Sequence, residues 1–154
     1  MNLLSIDPGK KNIAFAYFQE PSYELIDCGY IEFENLYELR EEFRMYSNYV
    51  IVCEVPQVYK LGLSKGDPED LIAVAVTAGA CLSLSKVSMA VKPHMWKSNI
   101  DKKVHNARTL QDLSGEALRM LTKVKRSKQH NVLDALALGQ WFLKRNEKNL
   151  VPTC

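Results

Sequence analysis

Leu3-Leu4-Ser5-Ile6-Asp7-Pro8-Gly9-Lys10-Lys11-Asn12-Ile13-Ala14-Phe15-Ala16-Tyr17-Phe18 places two apolar runs on either side of a short polar turn. The spacing predicts strands over 2–7 and 12–18, joined by Asp7-Pro8-Gly9-Lys10-Lys11 as a hairpin connection. Asp7 is the odd residue. It stands where a buried strand gives way to a turn, and burying an unpaired charge is expensive. One reading makes it an Asx-type acceptor for the turn amides that follow. The other makes it part of a site.

Two further acids occupy equally apolar settings. Glu54 follows Val50-Ile51-Val52-Cys53, and Asp134 sits inside Val132-Leu133-Asp134-Ala135-Leu136-Ala137-Leu138. Each alone has a bland explanation, an ion pair for Glu54 or a loop contact for Asp134. A single cause for all three is more economical: a divalent cation, which makes clustered carboxylates favourable. Leu3, Ser5 and Asp7 share one strand face, as do Val50, Val52 and Glu54. Asn131 and His130 precede Asp134 by three and four residues, on its own side of a helix. Hard oxygen donors favour Mg²⁺ or Mn²⁺, and two such ions per site suit phosphodiester hydrolysis.

Outward from these acids the chain reads as alternating elements. A third strand is expected over 23–33, a helix over 36–43 with Asn35 as cap, and a short strand from Val50 to Val55. Asp67-Pro68 opens an apolar helix through Leu84, and Val87–Val91 is a fifth strand. Pro93 to Ile100 reads as a turn or short helix, and 103–123 as a basic helix with Gly115 as a break point. Ser127 is expected to cap a last helix running to about Arg145, with the tail after about 146 frayed. The result is an α/β fold: a five-stranded mixed sheet, three antiparallel strands then parallel ones, flanked by helices. At 154 residues with 47% hydrophobic content, residues 1–154 form one domain.

Net charge is +2, but it is unevenly placed. Residues 1–91 carry 7 Lys/Arg against 13 Asp/Glu, whereas residues 92–130 carry 10 against 3. A local excess of basic residues lying between two of the acids points to a polyanion. The four cysteines form no C-x-x-C pair, so they read as buried reduced thiols rather than a zinc site. No stretch has the length of a membrane span and no signal-type segment opens the chain, so a cytoplasmic location is expected.

Ser5-Ile6-Asp7-Pro8-Gly9, Glu54 closing its strand and Asp134-Ala135-Leu136-Ala137 on the last helix together resemble the RuvC-type Holliday-junction resolvases of the RNase H-like nuclease superfamily. The resemblance runs from Asn2 to about Lys144 and includes Trp96-Lys97 and Lys102-Lys103. It implies an RNase H-like fold and a crossover junction endodeoxyribonuclease. Such an enzyme cuts four-way and other branched DNA by paired nicks from a homodimer. Asp7, Glu54 and Asp134 then look like metal-binding catalytic acids. Lys97, with Lys103 or Lys102, looks toward the phosphate. Helix 68–85, richer in apolar residues than one sheet face needs, becomes a dimer contact, with core packing as the alternative. The compact chain suits a phage or mobile-element enzyme in a bacterial or infected-host cytosol.

Asn131 departs from this pattern, because the family usually places an acid or a histidine there. Asn131 as an uncharged ligand, a role for His130 and a defective site all follow from that departure. Candidate DNA contacts are Lys97, Lys102, Lys103, Lys125, Arg126 and Lys128, with Lys60 and Lys65 in the loop after Glu54. Tyr59 in that loop is a candidate for stacking on an unpaired base, or a packed tyrosine. Trp96 reads as core. Two other outcomes stay open: an RNase H-like nuclease acting on RNA or an RNA–DNA hybrid, and a branched-DNA-binding protein with an inactive site.

Overall fold

The computed structural model describes residues 2–58, 67–97 and 101–150, the side chains of 147–150 excepted. Tyr59, Lys60 and Lys65, and the tail from Val151, lie outside the described residues. Strands β1 (Leu3–Pro8), β2 (Asn12–Gln19), β3 (Glu24–Glu32), β4 (Val50–Glu54) and β5 (Val87–Val91) form one sheet in the order β3-β2-β1-β4-β5. The first three are antiparallel, and β1, β4 and β5 run parallel. This is the mixed sheet expected from the sequence.

Alternation along the strands divides the core in two. Leu4, Ile6, Ile51 and Cys53 pack under helices α1 (Leu36–Glu42) and α2 (Pro68–Leu82). Leu3, Val52 and Val91 face α6 (Gln129–Leu150) on the other side. The first half of α6, Val132 to Leu138, is buried all round, as befits a helix held between a sheet and further helices. Those are α4 (Lys102–Gln111) and α5 (Gly115–Lys123).

Close approach brings α6 onto the sheet. A methyl group at Gly139 would lie 2.3 Å from Phe18 Cε2 and 2.7 Å from Ser5 Oγ, so only glycine lets the helix sit this deep. Ser5 Oγ in turn donates to Ala135 O at 2.7 Å, fully buried, a bond worth about 1 kcal/mol.

The expected cap is present on α1, and α2 opens at Asp67-Pro68 as expected, with Asp67 as its cap. Asn35 Oδ1 accepts from Tyr37 N and Glu38 N, and Asp67 Oδ1 from Glu69 N. Three expectations need correction. Strand β1 extends through Pro8, so the hairpin loop is Gly9–Lys11, closed by Gly9 N donating to Asn12 O at 2.8 Å. The basic helix does break before Gly115, as expected: Asp101 caps α4, and Ser114 starts α5 by accepting from Ala117 N. Ser127 does not cap the last helix. Lys128 N bonds back to Lys125 O at 2.7 Å, which winds Arg126–Lys128 into a 3₁₀ turn leading straight into Gln129. Finally, α6 continues past Arg145 to Leu150 because nothing before Pro152 breaks it, and Asn146 Nδ2 donates to Phe142 O along it.

Candidate active site

Parallel pairing of β1 with β4 matches Ser5 to Val52 and Ile6 to Cys53. One step further sets Asp7 level with Glu54. Both follow the alternation of the α6-facing residues, so both carboxylates emerge on the side where α6 delivers Asp134. The Ser5–Ala135 bond fixes that delivery, since Ser5 lies two residues before Asp7 and Ala135 one after Asp134. The three acids are brought together as the sequence predicts, from two strands and a helix.

Asp7 pairs with Ala14 inside the sheet, and among the described residues no turn amide donates to its carboxylate. The Asx reading therefore gives way to the site. Burial and the neighbouring charges of Glu54 and Asp134 push the Asp7 carboxyl up to about 8, against the opposing pull of Lys97 and Lys102. A carboxyl raised this far by burial and by two neighbouring acids is a candidate functional group.

Lys97 is that neighbourhood's own cation. The one-turn helix α3 (Pro93–Trp96) ends with Lys97 N donating to Pro93 O at 2.8 Å, which turns the side chain inward. Its ammonium lies 3.0 Å from Glu54 Oε2, 3.3 Å from Glu54 Oε1 and 3.3 Å from Asp134 Oδ2. Burial pulls the Lys97 pKa down, but Glu54, Asp134 and Asp7 outweigh it and hold it above the ordinary lysine value. Lys102, at the start of α4, reaches Asp134 Oδ2 at 3.4 Å. Of the two candidates at 102 and 103, Lys102 is therefore the one brought to the acids. Lys103 is exposed.

Asp134 is 3% exposed, and its Oδ1 is buried without a hydrogen-bond partner among the described residues. A buried carboxylate oxygen left unmatched is costly. Among the described residues no three His, Cys, Asp or Glu side chains stand close enough together to grip an ion as placed, and the Lys97 ammonium bridges Glu54 and Asp134. The donor set still fits a hard divalent cation: three carboxylates, an unmatched buried oxygen and a stand-in positive charge. Asn131 is half-buried one turn before Asp134, and His130 is exposed.

Two features were not read from the sequence. Trp96, 8% exposed, donates Nε1–H to Glu54 Oε2 at 2.9 Å. Its core position was legible, but its bond to a site carboxylate depends on a contact 42 positions away. His105 packs edge-on against Trp96, with ring centroids 5.4 Å apart, and its Nε2 is buried and unpartnered. Burial lowers the His105 pKa, with Lys97, Lys102 and Arg108 assisting against Asp134. No spacing signal marked it.

The other basic candidates stand apart from the acids. Lys125 and Arg126 are exposed in and just before the 3₁₀ turn. Lys128 is directed to β3, its ammonium 4.9 Å from the Tyr30 ring and 3.8 Å from Glu32 Oε1. An open groove of about 220 Å³, lined by Pro8, Glu54, Pro56, Asp70, Leu71 and Val74, gives access beside Glu54. Cys28, Cys53 and Cys81 are buried free thiols, as expected. Among the described residues no helix is long and apolar enough to cross a membrane.

No protein-family model matches the chain. No curated protein matches it in sequence. Solved structures do match in fold. T. thermophilus RuvC in complex with Holliday junction substrate aligns with a TM-score of 0.67 at 16% identity, covering 95% of this chain and 96% of that one. Fowlpox virus resolvase with Holliday junction DNA aligns with a TM-score of 0.61 at 20% identity, covering 94% and 98%. The yeast mitochondrial Holliday junction resolvase Ydc2 aligns with a TM-score of 0.56 at 16% identity, covering 96% and 84%. The chain thus has the RNase H-like fold that these resolvases share.

Proposed function

We propose that this protein is a metal-dependent endonuclease that cuts four-way DNA junctions by paired nicks from a homodimer. The observation that carries the reading is the convergence of Asp7, Glu54 and Asp134 around the Lys97 ammonium, at one end of a sheet whose fold is that of junction resolvases. Asp7, Glu54, Asp134 and Asn131 would hold one or two Mg²⁺ or Mn²⁺ ions, which supply an activated water and neutralise charge at the phosphate. Lys97, already poised between two carboxylates, holds positive charge where a scissile phosphate would gain negative charge. Lys102 extends that field toward the backbone. Lys125 and Arg126 add exposed charge for the junction arms.

The dimer rests on α2. Ile72 is 64% and Val76 52% exposed, and Ala75 and Gly79 are exposed beside them. The spacing 72, 75, 76, 79 is one helical face, and an exposed apolar stripe of this kind marks a contact surface. A second copy would place a second acid trio in the same particle, as paired nicking requires.

The test is incubation of a labelled four-way junction, a flap and an RNA–DNA hybrid with Mg²⁺ or Mn²⁺. Symmetric junction cuts, lowered more than about 100-fold by Asp7→Asn, are the expected result; losing a ligand should exceed the 10–100-fold cost of losing a residue behind one. Cutting confined to the hybrid would reassign the substrate. Junction binding without cutting by either protein would make the chain a branched-DNA-binding protein, the reading that Asn131 favours.

A further inference from the structure

Glu54 has two oxygens in unlike surroundings. Oε2 accepts from Trp96 Nε1 at 2.9 Å and from Lys97 Nζ at 3.0 Å, whereas among the described residues Oε1 has Lys97 alone, at 3.3 Å. The indole cannot easily release its partner. It is a donor with no acceptor capacity, and a buried tryptophan N–H needs a partner. The ring is buried, wedged edge-on by His105 at 5.4 Å and covered by the Lys97 ammonium 4.6 Å from its centroid. The anchoring extends along the segment, since His94 Nδ1 on the same short helix bonds Gln57 Oε1 at 2.7 Å in the chain leaving β4.

We propose that Trp96 is a positioning residue for Glu54. By claiming Oε2 it leaves Oε1 as a single-oxygen ligand, which biases the site toward Mg²⁺ and Mn²⁺ over Ca²⁺. The chemistry lies in coordination number. Ca²⁺ takes six to eight oxygens and often grips a carboxylate by both, whereas Mg²⁺ requires octahedral geometry, keeps several waters and takes carboxylates one oxygen at a time. A glutamate whose second oxygen is oriented by a buried indole suits the second pattern better than the first, because the hydrogen bond takes electron density and freedom of rotation from that oxygen. The inference rests on reading the three acids as cation ligands. It adds a determinant of which cation they hold.

Calorimetric titration of the DNA-free protein with MgCl₂ and CaCl₂ tests this without any cleavage. Trp96→Phe keeps a ring and removes the donor. It is expected to narrow the Mg²⁺:Ca²⁺ affinity ratio by about tenfold, the range found for residues that orient metal ligands. Trp96→His, which restores a ring N–H, is expected to recover part of the ratio. A folded Trp96→Phe protein with an unchanged ratio overturns the proposal, as does wild-type protein that binds no Mg²⁺. A second measurement needs no change at Trp96. In a Trp141→Phe protein the remaining indole N–H resonance should stay protected from solvent exchange as Mg²⁺ is added. Loss of protection on Mg²⁺ binding also overturns it. A protein that shows the expected ratio shift but leaves a four-way junction uncut refutes the nuclease reading and leaves the role of Trp96 standing.

Discussion

Lys97 Nζ stands 3.3 Å from Asp134 Oδ2, so a lysine on the segment after β5 neutralises an acid buried in the last helix. The same ammonium reaches Glu54. Removing it leaves two carboxylates facing Asp7 with less positive charge among them. Lys97→Met is expected to destabilise the cation-free protein at pH 8 by about 1–3 kcal/mol, the cost of stranding a buried polar group. Added Mg²⁺ should restore more stability to this variant than to wild type. Thermal melts with and without 10 mM-scale Mg²⁺ make the comparison; an equal gain in both proteins would contradict it.

Asp7 gives the protein a signature in pH. Its carboxyl titrates at about 8 in the fold and near the ordinary carboxylate value of about 3.9 when unfolded. Between those values the folded state holds more protons, so stability falls as pH rises. The contribution is fully present below about pH 4 and is lost as pH passes 8. Cation-free protein is therefore expected to melt lower at pH 8 than at pH 6, with Asp7→Asn largely removing the difference. Mg²⁺ binding at pH 6.5 should release a proton, visible as a dependence of binding heat on the buffer's ionisation enthalpy.

Gly139 controls how deeply α6 lies. Gly139→Ala would force a methyl into Phe18 and Ser5, and overpacking of this kind costs about 1–3 kcal/mol. The shift should also move Asp134, so Mg²⁺ affinity is expected to drop with stability. Gly115→Ala, where an added methyl meets nothing within 4 Å, is the control and should change stability by less than about 0.5 kcal/mol. Chemical denaturation of both variants decides it.

On α2, Ile72→Glu combined with Val76→Lys is expected to convert a dimer to a monomer in sedimentation velocity. Neither side chain contributes to the buried core, so the monomer should keep its fold. Junction cleavage should fall, with the remaining cuts unpaired. A wild-type protein that sediments as a monomer on the junction would remove α2 as the contact.

Lys125 and Arg126 are exposed, whereas Lys128 is engaged by Tyr30 and Glu32. Replacing the first pair by alanine should lower the slope of log affinity against log salt by about 0.9 per charge. Lys128→Ala should change the slope less and stability more. Filter binding across a salt series separates the two.

The acids were legible because each broke a local rule: a charge in an apolar strand or helix has few reasons to be there. The level pairing of Asp7 with Glu54 was equally open, since strand alternation and one parallel neighbour suffice. What sets α6 against them was not. Ser5 reads as an ordinary polar residue in a strand until Ala135 O is found beside it, and Gly139 reads as a weakness in a helix until Phe18 is seen against it. Ser127 misled because a serine before a helix resembles a cap, while the tight turn that Lys128 makes is invisible to composition. Trp96 and His105 show the same limit. The burial of Trp96 follows from local pattern, but the bearing of either residue on Glu54 depends on where the chain after β5 comes to lie.

The Ser5–Ala135 bond joins residues 130 positions apart, which has a consequence for how the protein comes into being. On the ribosome, Asp7 and Glu54 are made early and pair on neighbouring strands, but no third carboxylate exists until the last helix has emerged and docked. The trio is complete only once α6 has docked on the sheet, and a fragment that stops before α6 holds two of the three acids and lacks the helix that Ser5 would fasten.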